Sequence, residues 1–153
     1  MRIMSIDPGT QCAGYAVFEI SNRSSRMAEC GRVFVRGKDL PEKLLAVHRG
    51  MERLMRRLKP RQVAIERPFS GKNVRDGMTL NAARAVCMLA AAASKARVFE
   101  YAPGEVKKSV TGDGGATKDK VQHFVRVTLG LRDAPEPDVA DAIALAICHI
   151  NRL

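Results

Sequence analysis

No run of apolar residues in this 153-residue chain approaches the roughly 18 needed to cross a bilayer. The opening segment MRIMSIDPG has neither the long apolar stretch nor the small-residue cleavage site of a signal peptide, so the expected compartment is the cytoplasm. Cysteine is sparse: Cys12, Cys30, Cys87 and Cys148 form no CxxC pair, and their spacings fit neither a zinc knuckle nor a disulfide scaffold. They read as reduced thiols in or near a core. His48, His123 and His149 are scattered without metal-ligand spacing and read as structural. Acid is in short supply as well, with 16 Asp and Glu against 26 Lys and Arg. The resulting net charge of +10 favours a polyanionic partner, nucleic acid first.

What is present is an ordinary globular composition, 46% hydrophobic and 27% charged. There is no internal repeat, no low-complexity tract and no linker long enough to divide the chain, so residues 1–153 are expected to form one domain. Residues 2–6 alternate in hydropathy and run into Asp7-Pro8-Gly9, a strand ending in a turn. Gly14–Ile20 and Met27–Val35 read as two further strands of an antiparallel meander. Leu40, Leu44, Val47, Met51, Leu54 and Leu58 make a helical stripe, with Arg49, Arg53, Arg56 and Arg57 at other positions of the same helix and Pro60 as its stop. QVAIE, residues 62–66, is a short strand of buried type.

Residues 72–95 read as a long alanine-rich helix. Val74, Met78, Ala82, Val86, Leu89 and Ala93 form one stripe, while Leu80, Met88 and Ala91 lie off it. Such a helix is either deeply buried or apolar toward both the core and a partner chain. A strand at 97–101, a short helix at 104–110, a glycine-rich loop at 111–115, a helix capped by Thr117 and a last helix with Val139, Ala142, Ile143, Ala146, Ile147 and Ile150 on one face complete the pattern. The expectation is an α/β fold: five strands in one mixed sheet, with helices on both faces.

The informative acids fall at element ends. Asp7 ends the first strand, Glu66 ends the fourth, and Asp138 and Asp141 share a helix face at i and i+3. Asp7 is equally compatible with a simple Asp-Pro-Gly turn, Asp138 with a helix cap after Pro137, and Asp141 with an exposed helix position. Glu66 closes an apolar strand, where a carboxylate is costly unless a cation or donors satisfy it. If the acids converge, a pair of divalent cations would relieve their repulsion, and Mg²⁺ prefers oxygen ligands. Two ions about 4 Å apart can activate water and stabilise the leaving oxygen of a phosphodiester. That chemistry requires no serine, cysteine or histidine nucleophile.

Lys107, Lys108, Lys118 and Lys120 flank the glycine-rich loop, a placement that suits phosphate contact and equally suits a solvated charge run. The loop is not GxxxxGK[ST], which excludes a nucleotide-binding P-loop. Phe69, beside Ser70-Gly71, is either an exposed base stacker or a core residue.

Taken in order, Ile6-Asp7-Pro8-Gly9-Thr10 with Gly14-Tyr15, Ala64-Ile65-Glu66 with Phe69, Phe99-Glu100-Tyr101 with Val106-Lys107, Ala116 with Lys118 and Val121-Gln122-His123, and Asp138-Val139-Ala140-Asp141-Ala142 resemble the RuvC Holliday junction resolvases over essentially the whole chain. The resemblance implies a ribonuclease H-like fold and a homodimer, joined through residues 72–95. It implies four-way DNA as substrate, nicked symmetrically on two strands with Mg²⁺ or Mn²⁺, in DNA recombination and repair. It places the metals, two ions per site, on Asp7, Glu66, Asp138 and Asp141, puts Lys107 and Lys118 at the scissile phosphate, and makes Phe69 the stacking aromatic. Lys72, Arg75, Lys108 and Lys120 are further candidate DNA contacts. A branch-migration helicase is an expected partner, and association with the nucleoid an expected location.

The stretch Asp76-Gly77-Met78-Thr79-Leu80-Asn81-Ala82-Ala83-Arg84 departs from the family's usual serine and glycine-glutamine, and the chain carries no basic tail after its last helix. A related nuclease, of phage origin or with a broader range of flaps and forks, therefore stays open at this point. Either reading requires phosphate contacts that release counterions, so DNA affinity should fall steeply as salt is raised. A titration of binding against salt concentration checks this, and an affinity independent of salt would contradict it.

Overall fold

The computed structural model describes residues 1–22, 24–67 and 74–153, with side chains of the third segment described from residue 77. Phe69, Lys72 and the side chain of Arg75 thus lie outside the described residues. The elements run β1 (Arg2–Asp7), β2 (Cys12–Ser21), β3 (Ser24–Phe34), α1 (Leu40–Leu58), β4 (Gln62–Glu66), α2 (Val74–Ala93), β5 (Arg97–Tyr101), α3 (Pro103–Thr111), α4 (Lys118–Thr128) and α5 (Pro137–Ile150).

The strands form one five-stranded sheet in the order β3-β2-β1-β4-β5. The β1–β2 and β2–β3 pairs are antiparallel, whereas β4 joins β1 and β5 joins β4 in parallel. This is the mixed sheet the hydropathy pattern calls for. Period-two alternation distributes the side chains of β1 between two cores. Ile3 enters the core beneath α3, α4 and α5, and Met4 and Ile6 enter the core beneath α1 and α2.

Each helix end has a local cause. Asp39 caps α1 by accepting from the Glu42 N–H at 2.9 Å, and Lys59 ends it in the left-handed conformation at φ 47°. Thr117 caps α4, accepting from the Lys120 N–H. The first turn of α5 begins at Pro137, with Glu136 at the cap position. Asp138 is therefore inside the helix and not its cap.

The stripe read on α2 is corrected by the structure. Met78 and Leu89 point outward, 69% and 61% exposed, while Ala83, Cys87, Ala90 and Ala91 are the buried set. The physical reason is size: small side chains let α2 lie close to α1 and the sheet, and the larger apolar groups are left on the far side. The helix is thus two-sided, with core on one face and exposed apolar surface on the other. A similar shift occurs at the start of α1, where Leu40 is exposed although it sits in register with the buried Val47 and Met51.

α5 is pressed onto β1 and β2. Ser5 in β1 donates its hydroxyl to the Ala142 carbonyl at 2.5 Å, an internal tie between sheet and helix. On β2, a Cβ at Gly14 would lie only 2.0 Å from the Asp138 carbonyl oxygen, so this strand position accepts glycine alone without displacing the helix. Gly14→Ala should therefore cost about 2 kcal/mol through overpacking. A urea titration should show a lower midpoint at unchanged slope, and an unaltered midpoint would mean that the helix is not held at this point.

Candidate active site

Strand parity assembles the first half of the site. Asp7 follows Ile3 and Ser5 on the α5 side of β1, and Glu66 follows Gln62 and Ala64 on the same side of β4. Because Ile6 pairs with Ile65 across the parallel ladder, Asp7 and Glu66 leave the sheet at the same level on neighbouring strands. The second half comes from α5, whose first two turns carry Asp138 and Asp141 on one face. Gly14 pairs with Asp7 across the antiparallel ladder and lies under the Asp138 carbonyl, so a single close approach aligns both halves.

All four acids line one cavity of about 840 Å³, together with Lys107, Lys118, Cys12 and the Pro8–Gln11 turn. The structure thus brings together every candidate acid and two of the four lysines that flank the glycine-rich loop. Lys118 bonds Asp141 at 3.3 Å. Lys107 draws the Glu66 carboxyl down electrostatically. Lys108 and Lys120 are absent from the lining, and Lys120 instead pairs with Asp113 at 3.4 Å.

The electrostatics of this cavity are unfavourable as it stands. Burial, then the charges of Asp141, Glu66 and Asp138, push Asp7 up to about 8, with only Lys118 opposing. Burial and Asp141 raise Glu66 to about 7, against Lys118 and Lys107. Neither carboxylate accepts a hydrogen bond from a described residue. This disposes of Asp7 as a mere turn former: it ends a strand, half-buried, among three other acids.

Two residues that act on the site carried no signal that separated them from structural ones. Cys12, first residue of β2, donates its thiol to Asp138 Oδ2 at 2.9 Å, and burial followed by that bond raises the thiol to about 11. It is a neutral donor there. Its position five residues beyond Asp7, on the strand paired with β1, was the available clue. Arg84 of α2 donates to the Glu66 carbonyl at 3.0 Å and pairs with Glu100, tying the end of β4 to α2. The histidines behave as their scatter suggested where the structure buries one: His149 joins Tyr101 at 2.7 Å and Gln62 at 2.8 Å, and burial keeps it below its ordinary value.

The donor set fits a hard divalent cation: four carboxylates, oxygen only, with a surplus of negative charge over the two lysines. Among the described residues no cluster of three or more such ligands is already gathered around one point. A linkage follows for the metal-free protein. Asp7 and Glu66 have folded values above their ordinary 3.8 and 4.5, so the stability they contribute is full below those values and is lost as pH rises through about 7 to about 8. The melting temperature without metal should drop by several degrees between about pH 5 and about pH 9, and Asp7→Asn should flatten the drop. Identical pH profiles for the two proteins would contradict this charge arrangement.

Comparison with known proteins agrees with this geometry. Residues 3–149 match the model of the family described as crossover junction endodeoxyribonuclease RuvC. The chain is 43% identical over 151 residues to the crossover junction endodeoxyribonuclease RuvC of Chloroflexus aurantiacus, covering 97% of this chain and 92% of that protein. It is 42% identical over 153 residues to the protein of the same name from Pelotomaculum thermopropionicum, covering 99% and 93%. Among solved structures it is similar to Thermus thermophilus RuvC in complex with a Holliday junction substrate, at 29% identity and a TM-score of 0.87 over 98% of this chain and 93% of that one. The fold is thus ribonuclease H-like, and the chain belongs to the crossover junction endodeoxyribonuclease RuvC family.

Proposed function

We propose that this chain is a structure-selective endodeoxyribonuclease that resolves four-way DNA junctions by paired, symmetric nicks, in DNA recombination and repair. The observation that carries the reading is the convergence of Asp7, Glu66, Asp138 and Asp141, with Lys107 and Lys118, on one cavity at the end of the sheet. No observation favours the broader reading with flaps and forks. Residues 1–153 act in this reading as one nuclease domain.

Asp7, Glu66, Asp138 and Asp141 are assigned as the ligands of two divalent ions, Mg²⁺ or Mn²⁺. When bound, such a pair supplies an activated water and charge stabilisation at the leaving oxygen. The remaining work falls to the chain. Lys118 and Lys107, at the cavity, bind the non-bridging oxygens of the scissile phosphate. Cys12 holds the Asp138 carboxylate from behind through its thiol. Phe69, Lys72 and Arg75 remain assigned to DNA on sequence grounds, and Lys108 and Lys120 to phosphates beyond the cavity.

The outward face of α2 supports a homodimer. Exposed Met78 and Leu89 give an apolar patch on a helix already packed on its other side, which suits an isologous contact with a second copy. Two copies related in this way present two cavities to one junction, as paired nicks demand. No described helix is long and apolar enough to cross a membrane. The proposed setting is the cytoplasm, at the nucleoid, with a branch-migration helicase as the further partner.

Asp7→Asn should lower cleavage roughly 10³-fold, the equivalent of about 4 kcal/mol of lost transition-state stabilisation, while junction binding survives. Gel assays on a synthetic four-way junction with mapped nicks test both halves. Cleavage retained in that variant would sink the metal-site assignment. Linear duplex cut as readily as the junction would sink the resolvase reading.

A further inference from the structure

A groove of about 690 Å³ runs along the seam between β3 and α1, outside the catalytic cavity. Arg32 and Arg36 from the β3 side and Arg49, Arg53 and Arg57 from α1 line it, together with Phe34. The sequence pattern placed the α1 arginines off the core stripe, and the catalytic assignment makes no use of them. We propose that this groove is a second DNA-backbone site, which grips the phosphates of a duplex arm as it leaves the catalytic cavity. The inference rests on the junction-resolving reading and deepens it by assigning a path to the arm.

The location supports a substrate already engaged next door. Phe34 pairs with Cys12, and Cys12 lines the catalytic cavity. Arg32 reaches Glu136 at 3.6 Å, the residue that caps the helix carrying Asp138 and Asp141. Groove and cavity are therefore neighbours across the β2–β3 pairing, one residue of each lining facing the other in the ladder. The groove is also built on a fixed floor. Glu29 receives both the Arg57 guanidinium and the Tyr15 hydroxyl, the latter at 2.7 Å, and these bonds hold its carboxyl down to about 2. Phe34 is 52% exposed, yet it is covered by cations, with Arg32 at 5.2 Å and Arg36 at 6.0 Å from the ring centre.

The remaining charge is unspent. Arg36, Arg49 and Arg53 are exposed and have no carboxylate partner among the described residues. Arg49 and Arg53 stand one helical turn apart, a rise of about 6 Å. Charges of one DNA strand recur about every 3.4 Å of helix axis and lie farther apart along the winding backbone, so guanidiniums on this spacing can each meet a phosphate of one strand. Arginine suits this task because its planar fork bonds phosphate oxygens in pairs. A basic pocket of similar charge, with Lys59, Arg61 and Lys95, lies at the opposite end of the strands, where β4 and β5 begin. It has no such continuity with the active site and serves as the control.

The test compares the unsubstituted protein with Arg36→Gln/Arg49→Gln/Arg53→Gln and with Lys59→Gln/Arg61→Gln/Lys95→Gln. Binding is measured in chelator on four-way junctions, with long arms or with arms trimmed below one helical turn, across a range of salt. The groove variant should bind the long-armed junction roughly tenfold or more weaker, with a salt slope reduced by about two to three. On trimmed arms its deficit should largely vanish, and the control variant should track the unsubstituted protein on both. Unchanged affinity and slope in the groove variant would overturn the inference and leave the arginines to an acidic protein. An equal loss in the control variant would overturn it too, as would a deficit independent of arm length. Failure of the unsubstituted protein to bind the junction at all would instead sink the proposed function, and this inference with it.

Discussion

The close approach of α5 to the β1–β2 hairpin is the constraint on which the rest of the structure depends. Gly14 leaves no Cβ between β2 and the Asp138 carbonyl, and Ser5 ties β1 to the Ala142 carbonyl. These two contacts fix both the height and the rotation of the helix above the sheet. Asp138 and Asp141 are thereby delivered to the strand ends where Asp7 and Glu66 emerge. A carboxylate site of this kind tolerates little slack, because its function depends on oxygen atoms converging within a few ångströms.

That convergence inverts the local sign of an otherwise basic molecule. The chain carries a net charge of +10, yet the cavity at the end of the sheet gathers four acids and two lysines. The surrounding positive field attracts DNA, while the bare acids would repel the phosphate to be cut. Divalent cations would reconcile the two, so in the proposed reading recognition and chemistry are separable: the arginines and lysines outside the cavity would hold the substrate whether or not the acids are loaded. The raised values of Asp7 and Glu66 express the same conflict in the metal-free state. The groove between β3 and α1 extends the positive surface on one side, and Met78 and Leu89 leave an apolar face outward on α2.

Much of this was legible in the residues. Period-two alternation in β1 and β4 and the 3.6-residue stripes of α1 and α5 are local patterns, and they specified the elements and the mixed sheet. The acids could be picked out because polar residues at the ends of apolar strands are costly without a purpose. The buried face of α2 is not legible in the same way, because alanine is small enough to pack closely yet contrasts little in hydropathy, while the larger Met78 and Leu89 lie outward. The roles of Cys12 and Arg84 are not legible locally because each acts through a partner distant in sequence, Asp138 in one case and the end of β4 in the other.

The sequence by itself determined the secondary elements and a sheet with helices on both faces, since these follow from short-range periodicity. It marked Glu66 as a costly acid, while Asp7, Asp138 and Asp141 stood out only through the family resemblance. Only the tertiary structure decided that Asp138 sits inside its helix, that Lys107 and Lys118 reach the cavity while Lys108 and Lys120 do not, and that the α1 arginines share a groove with Phe34. Those outcomes depend on how far apart separate elements come to rest. That distance is set by contacts such as the missing Cβ of Gly14, whose meaning exists only once the helix lies against it.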